Sequence, residues 1–183
     1  MKYIALLRGV NVGGKNKIAM SELKACFEEL GFKNVATYIN SGNVLFEAEN
    51  ITEDAVADRV EQELVRSFKF DSDLIKVRII SRDELHTVIA GAPKGFGTEP
   101  DIYYSDVAFL IRFDEKEAYE SFECNPEVDA IWQGKGVIYY RRLGARRTAS
   151  RLSKVMGKPV YKSMTIRSWN TTTKLLALLD KES

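Results

Sequence analysis

One succession of short apolar runs and amphipathic helices is played twice along this 183-residue chain, and that repetition limits the folds open to it. Tyr3-Ile4-Ala5-Leu6-Leu7 is a strand-length apolar run ending at Arg8. After a loop, Ser21 is placed to cap a helix whose Leu23, Cys26, Phe27 and Leu30 follow the i, i+3, i+4, i+7 spacing of one buried face, and Gly31 stops it. Val35 to Ile39 and Val44 to Glu47 are β-type runs flanking Asn40-Ser41-Gly42-Asn43, the composition of a hairpin turn. Thr52, with Glu53 and Asp54 behind it, opens a helix carrying Val56, Val60, Leu64 and Phe68, and Leu74 to Ile80 closes the unit as a strand. The order is β-α-β-β-α-β.

Ser81 and Glu84 have capping-box spacing for a helix running to about Ala90, and Gly91 to Pro100 reads as a Gly- and Pro-rich loop. The pattern then recurs. Val107 to Phe113 is an apolar strand, Glu115 to Phe122 a short helix, and Val128 to Trp132 with Val137 to Arg141 a hairpin about Gln133-Gly-Lys-Gly136. Ser150 to Met156 is expected as a helix, Pro159 to Thr165 as an extended segment, and Leu175 to Leu179 as the apolar part of a last helix. The expected class is α+β, with duplicated ferredoxin-like (β-α-β-β-α-β) halves built on antiparallel sheets. Residues 1–80 form the first half, 81–104 the connecting helix and loop, and 105–183 the second half with the C-terminal helix.

A chain of this length buries roughly 70% of its unfolded surface, so a core can hold it without disulfides or metal. Cys26 and Cys124 stand far apart with no Cys-x-x-Cys pattern, which points to a reducing, cytoplasmic setting. Cys26 lies on the core stripe of its helix and reads as a small buried hydrophobe. No run approaches the roughly 20 apolar residues of a membrane span. The net charge of +1 hides an asymmetry. Lys135 to Ser183 carries twelve Lys or Arg against two acids, and Met1 to Gly134 carries −9. Such a block either faces a nucleic acid or anionic ligand or is matched internally by the acidic remainder.

Chemistry concentrates in two segments. Arg8-Gly-Val-Asn-Val-Gly-Gly-Lys-Asn-Lys17 empties from the first strand as a glycine-rich cationic loop, in which Gly13 and Gly14 free the backbone and Arg8, Lys15 and Lys17 supply charge. Gly9-x4-Gly14-Lys15 approaches the nucleotide phosphate-loop pattern, but Asn16 stands where that loop needs the Mg²⁺-binding hydroxyl, and an antiparallel sheet is the wrong platform. The plainer alternative is a loop that simply crosses the sheet edge. The second segment, Thr165 to Lys174, crowds hydroxyl and amide side chains, among them Asn170 and Thr171, at the start of the last helix beside Arg167. There the alternatives are an anion site, or a capped helix with Trp169 in the core and Arg167 solvated. Lys135-Gly-Val-Ile-Tyr-Tyr-Arg141 matches an RNA-stacking strand poorly, because Val137 takes the first aromatic position and Tyr139 and Tyr140 face opposite sides. His86, the single histidine, falls off the apolar stripe of its helix, and neither a zinc-ligand spacing nor a nucleophile elbow is present.

Ala5 to Lys17, Thr37-Tyr-Ile-Asn-Ser-Gly-Asn-Val-Leu-Phe46 and Thr165-x-Arg167-x-Trp-Asn-Thr-x-x-Lys-Leu175, in that order, resemble the bacterial domain of unknown function family 1697. The resemblance implies a duplicated ferredoxin-like α/β fold and no established activity. The chain departs from the family pattern at Ser168, where Asn is usual, and at Arg151, where Lys is usual. The expected function is binding of a phosphate-bearing or other anionic ligand between the halves. Arg8, Asn11, Gly13, Gly14, Lys15, Ser41 and Asn43 would come from the first half, and Arg167, Asn170 and Thr171 from the last helix start. An RNA- or DNA-binding module using the basic quarter and a phosphate-handling enzyme are the alternatives. The residues name no cofactor and leave the oligomeric state open.

Overall fold

A computed structural model describes residues 1–49, 52–70 and 75–181 of the chain. It is a mixed α+β protein with two four-stranded antiparallel sheets, divided into two compact units. Unit 1 holds residues 1–85 and the chain from 175 onward; unit 2 holds residues 86–174.

In unit 1 the order is β1 (Lys2–Arg8), α1 (Met20–Glu29), β2 (Lys33–Tyr38), β3 (Asn43–Glu47), α2 (Glu53–Ser67) and β4 (Lys76–Ser81), followed by α3 (Arg82–Ala90), whose last residues enter unit 2. The sheet order is β2-β3-β1-β4. Tyr3, Ala5 and Leu7 share a face with Phe46, Val44, Val77 and Ile79, and on it pack Leu23, Cys26 and Phe27 of α1 and Val56, Ala57, Val60 and Leu64 of α2. Each large side chain buried there contributes roughly 1.5–3 kcal/mol. The expected helix faces are thus the observed ones. Thr52 caps α2, its Oγ1 accepting from the Ala55 amide at 3.3 Å.

The other expected caps differ. Ala19, not Ser21, is the residue before α1, and its amide donates to the Glu22 carboxylate. Only half of the Ser81/Glu84 box forms. Ser81 Oγ accepts from the Glu84 amide at 3.2 Å, while the Glu84 carboxylate binds the Arg78 guanidinium and the Ser81 amide donates to Glu53. An ion pair with a half-buried arginine outcompetes a box partner. The strand expected over Leu74 to Ile80 is β4 from Lys76; Leu74 lies outside the described residues.

Unit 2 runs β5 (Tyr103–Leu110), α4 (Glu115–Glu120), β6 (Asp129–Gly134) and β7 (Val137–Leu143), then β8 (Met164–Ser168) and α5 (Trp169–Leu179), the last of which ends in unit 1. The sheet order, β6-β7-β5-β8, repeats the first. Ala108, Leu110, Ile138, Tyr140 and Met164 form the face covered by Ala118, Phe122, Leu152, Val155 and Val160. The second half departs from the expected pattern between β7 and β8. No α-helix spans Ser150 to Met156, and Pro159 to Thr165 is not extended throughout. Three 3-10 turns, Gly144–Ala149, Leu152–Gly157 and Pro159–Ser163, fill the stretch instead. Gly144, Gly157 and Pro159 divide the segment into pieces too short for an α-helix, and tight i→i+3 turns satisfy such pieces. The turns are tied down by Asp129, whose Oδ2 accepts from the Arg151 and Asn125 amides, both at 2.9 Å.

Candidate functional site

In unit 1 the structure brings the glycine loop together with the tip of the β2-β3 hairpin. Asn11, at φ +53°, donates through Nδ2 to the Ile18 and Asn40 carbonyls, and its Oδ1 accepts from the Ile18 amide at 2.9 Å. Buried Asn16 donates to the Gly9 carbonyl at 2.7 Å. Asn43, with 0% exposure, donates to Tyr38 O and Ser41 Oγ. The Leu7 amide donates to Gly42 O at 2.8 Å, and Gly42 presses so closely on Leu7 and Val10 that a Cβ would lie 2.6 Å from Val10 Cγ2. Asn11, Ser41 and Asn43 therefore serve the frame of the loop. Between them, Val12 to Lys15 closes a turn in which the Lys15 amide donates to Val12 O. Exposed Gly13 and Gly14 have open space around them, Lys15 is exposed beside them, and Arg8 stands half-buried at the end of β1.

Arg167, Asn170 and Thr171 belong to unit 2. Arg167 is not solvated; it is 7% exposed, and burial pushes its guanidinium pKa down to about 10. Its Nη1 donates to Thr165 Oγ1 and Ile166 O, both at 2.8 Å. The next residue caps α5. Ser168 Oγ accepts from the Thr171 amide at 3.2 Å and donates to Thr171 Oγ1 at 3.0 Å. Asn170 is exposed at the head of the helix.

A cleft of about 560 Å³ opens at this helix start, lined in part by Gly97, Tyr103, Tyr104, Ser105, Asp106, Trp169 and Asn170. It exists because the strands are unequal. β8 pairs with β5 from Asp106 to Leu110 and ends at Ser168, leaving Tyr103 to Ser105 without a strand partner on that side among the described residues. The Gly91 to Pro100 loop closes against Trp169. Gly97, at φ +75°, lies where a Cβ would sit 1.9 Å from Trp169 Cδ1, and Phe96 meets the Trp169, Tyr139 and Trp132 rings edge-on. Trp169 is thus half-buried between loop and cleft.

Asp106 brings negative charge to the cleft. Burial raises its pKa above the ordinary 3.8 even though Arg142 lies 4.0 Å away and pulls it down. Ser105 is 9% exposed and its hydroxyl has no hydrogen-bond partner among the described residues. Sequence reasoning missed Gly97, Tyr103, Tyr104, Ser105, Asp106 and Thr173. The signal available was polar Ser105-Asp106 interrupting an otherwise apolar strand.

Part of the basic block is matched within unit 2. Arg146 pairs with Glu127 at 3.0 Å, Lys154 and Lys158 with Glu123 at 2.8 and 3.2 Å, and Arg141 lies over the Tyr103 ring at 4.3 Å. Tyr139 and Tyr140 lie on opposite faces and both are buried, Tyr139 donating to Val88 O at 2.5 Å. His86 is exposed, and Cys26 is buried with its thiol pushed up to about 11 by burial. Among the described residues no group of three or more His, Cys, Asp or Glu could hold a metal ion, and no helix is long and apolar enough to cross a membrane.

The structure is similar to that of the conserved bacterial protein SP0830 from Streptococcus pneumoniae, with a TM-score of 0.81, 26% identity and 98% of each chain covered. No curated protein matches the sequence. The model of the family described as protein of unknown function (DUF1697) matches residues 1–139, and the chain belongs to that family.

Proposed function

We propose that the protein binds a compact anionic ligand, phosphate-bearing or otherwise, at the start of α5. The observation that carries this is the cleft at the head of that helix, where Trp169 and Asn170 open the first turn. First-turn amides have no acceptor within their own helix, and the positive end of the helix dipole adds to them. Arg8 and the Gly13-Gly14-Lys15 tip of unit 1 form the second anion-binding element of this reading, with Asn11, Ser41 and Asn43 holding its frame and Arg167 holding β8. The matching of Arg146, Lys154 and Lys158 by nearby carboxylates favours a compact ligand over RNA or DNA. The shared strand order supports reading each half as a ferredoxin-like unit, the second with 3-10 turns in place of its second helix.

Calorimetric titration with orthophosphate, ribose 5-phosphate and a short RNA tests the proposal, using the native protein and Ser168→Asp. Aspartate caps a helix as well as serine does and sets a fixed carboxylate where the anion would sit. The variant is expected to melt at or slightly above the native temperature and to bind phosphate ligands at least tenfold more weakly. Unchanged affinity in Ser168→Asp, or binding of RNA alone with a steep salt dependence, contradicts the proposal.

A further inference from the structure

The cleft in unit 2 contains more than a helix start, and the additional groups restrict what can fill it. Its volume of about 560 Å³ is that of a small-molecule site. Tyr103, Tyr104 and Trp169 line it, and Tyr104 is 48% exposed, an aromatic surface presented without cover. A phosphate or acetate ion alone would leave these rings in water. Two polar groups on β5 are incompletely matched. Ser105, nine-tenths buried, has a hydroxyl without a partner among the described residues. Among the described residues, Asp106 has only the Arg142 guanidinium, at 4.0 Å, to balance its charge. Register sets Asp106 directly across from Ser168, so the carboxylate stands next to the head of α5.

A carboxylate beside an anion-binding helix start weakens the hold on a ligand that is only anionic. It accepts one that brings its own positive N–H group. Aromatic side chains and a carboxylate together are also the chemistry that recognises an organic ammonium.

Resting on the anion reading above, we propose that the cleft takes a zwitterionic aminocarboxylate with a planar apolar group: its carboxylate at the start of α5, its ammonium at Asp106, its planar group against Tyr104 and Trp169. A truncated partner leaves the opposing charge in a partly buried site, so each half of the ligand alone is a poorer fit than the whole.

Three probes that share one phenyl ring separate the contributions: phenylalanine, phenethylamine, which lacks the carboxylate, and 3-phenylpropionate, which lacks the amine. Calorimetric titration of the native protein is expected to show phenylalanine binding at least tenfold more tightly than either of the others. In Asp106→Asn, nearly isosteric and expected to fold, phenylalanine should fall to the level of 3-phenylpropionate, whose own affinity holds or rises. Tyr104→Ala, at an exposed position, should weaken all three. If 3-phenylpropionate matches phenylalanine in the native protein, or orthophosphate binds while none of the three does, this inference is overturned and the anion reading stands. Phenethylamine binding alone, or no binding by any of the four, overturns both.

Discussion

Gly95 and Gly97 provide an internally controlled test of how the cleft is built. Both sit in the loop before β5 at nearly the same backbone conformation, φ +76° and +75°, where an L-residue costs roughly 1–2 kcal/mol. Their surroundings differ. A Cβ on Gly95 would meet nothing closer than Thr98 Oγ1 at 3.8 Å, an ordinary contact, whereas one on Gly97 would fall 1.9 Å from Trp169 Cδ1 and 2.4 Å from Nε1. The indole cannot yield freely, because Phe96 packs edge-on against it at 5.1 Å between centroids. Overpacking of this kind adds about 1–3 kcal/mol. Gly95→Ala is therefore expected to lose about 1–2 kcal/mol, and Gly97→Ala about 2–5 kcal/mol. For a chain of this size, where each kcal/mol moves the midpoint by about 2–4 °C, the second variant melts some 2–12 °C below the first. Thermal melts followed by circular dichroism measure the gap, and tryptophan fluorescence should change in Gly97→Ala alone. Equal losses in the two variants, with unaltered emission, would refute the claim that loop-to-Trp169 contact shapes the cleft.

Other expectations follow from single residues. Asn11→Ala removes three hydrogen bonds and puts alanine at φ +53°, so urea unfolding should show a loss of about 2–4 kcal/mol, with or without added anion. Asp106 binds its proton more readily folded than unfolded, so its contribution to stability falls as pH rises from below 3.8 through its raised pKa. The stability of Asp106→Asn relative to the native protein should accordingly improve over that interval, as pH-dependent unfolding curves of the pair would show. Cys26, buried with its thiol pKa raised to about 11, should react with a thiol reagent only at the rate of unfolding, which timed modification followed by peptide mapping would reveal.

Periodicity made the two-layer plan legible. Leu23, Cys26 and Phe27 face the core where the helical spacing puts them, Thr52 caps α2, and both hairpins fall about their turn residues. Local signals failed where distant partners competed for the same groups. Glu84 leaves its box for Arg78, about seventy residues of unrelated sequence separate Trp169 from the loop that packs on it, and an arginine-rich stretch with helix-like apolar spacing is cut into 3-10 turns by its Gly and Pro. Of the candidate site, the head of α5 was visible because Ser, Asn and Thr cluster before an apolar helix. The cleft was not, since it arises from unequal strand ends and a Gly97-to-Trp169 contact that no local pattern encodes. Arg167, for which the sequence left an anion contact or a solvated charge open, is buried near the end of β8, where its Nη1 donates to Thr165 Oγ1 and the Ile166 carbonyl.

Backbone amide shifts of the ¹⁵N-labelled protein, titrated with orthophosphate at constant ionic strength, test the central claim most directly. Binding at the head of α5 predicts that the largest saturable shifts fall on Trp169 and Asn170, with smaller ones at Ser105 and Asp106 across the cleft. Shifts confined to Arg146, Arg147 and Arg151, or a uniform response without saturation, would contradict it.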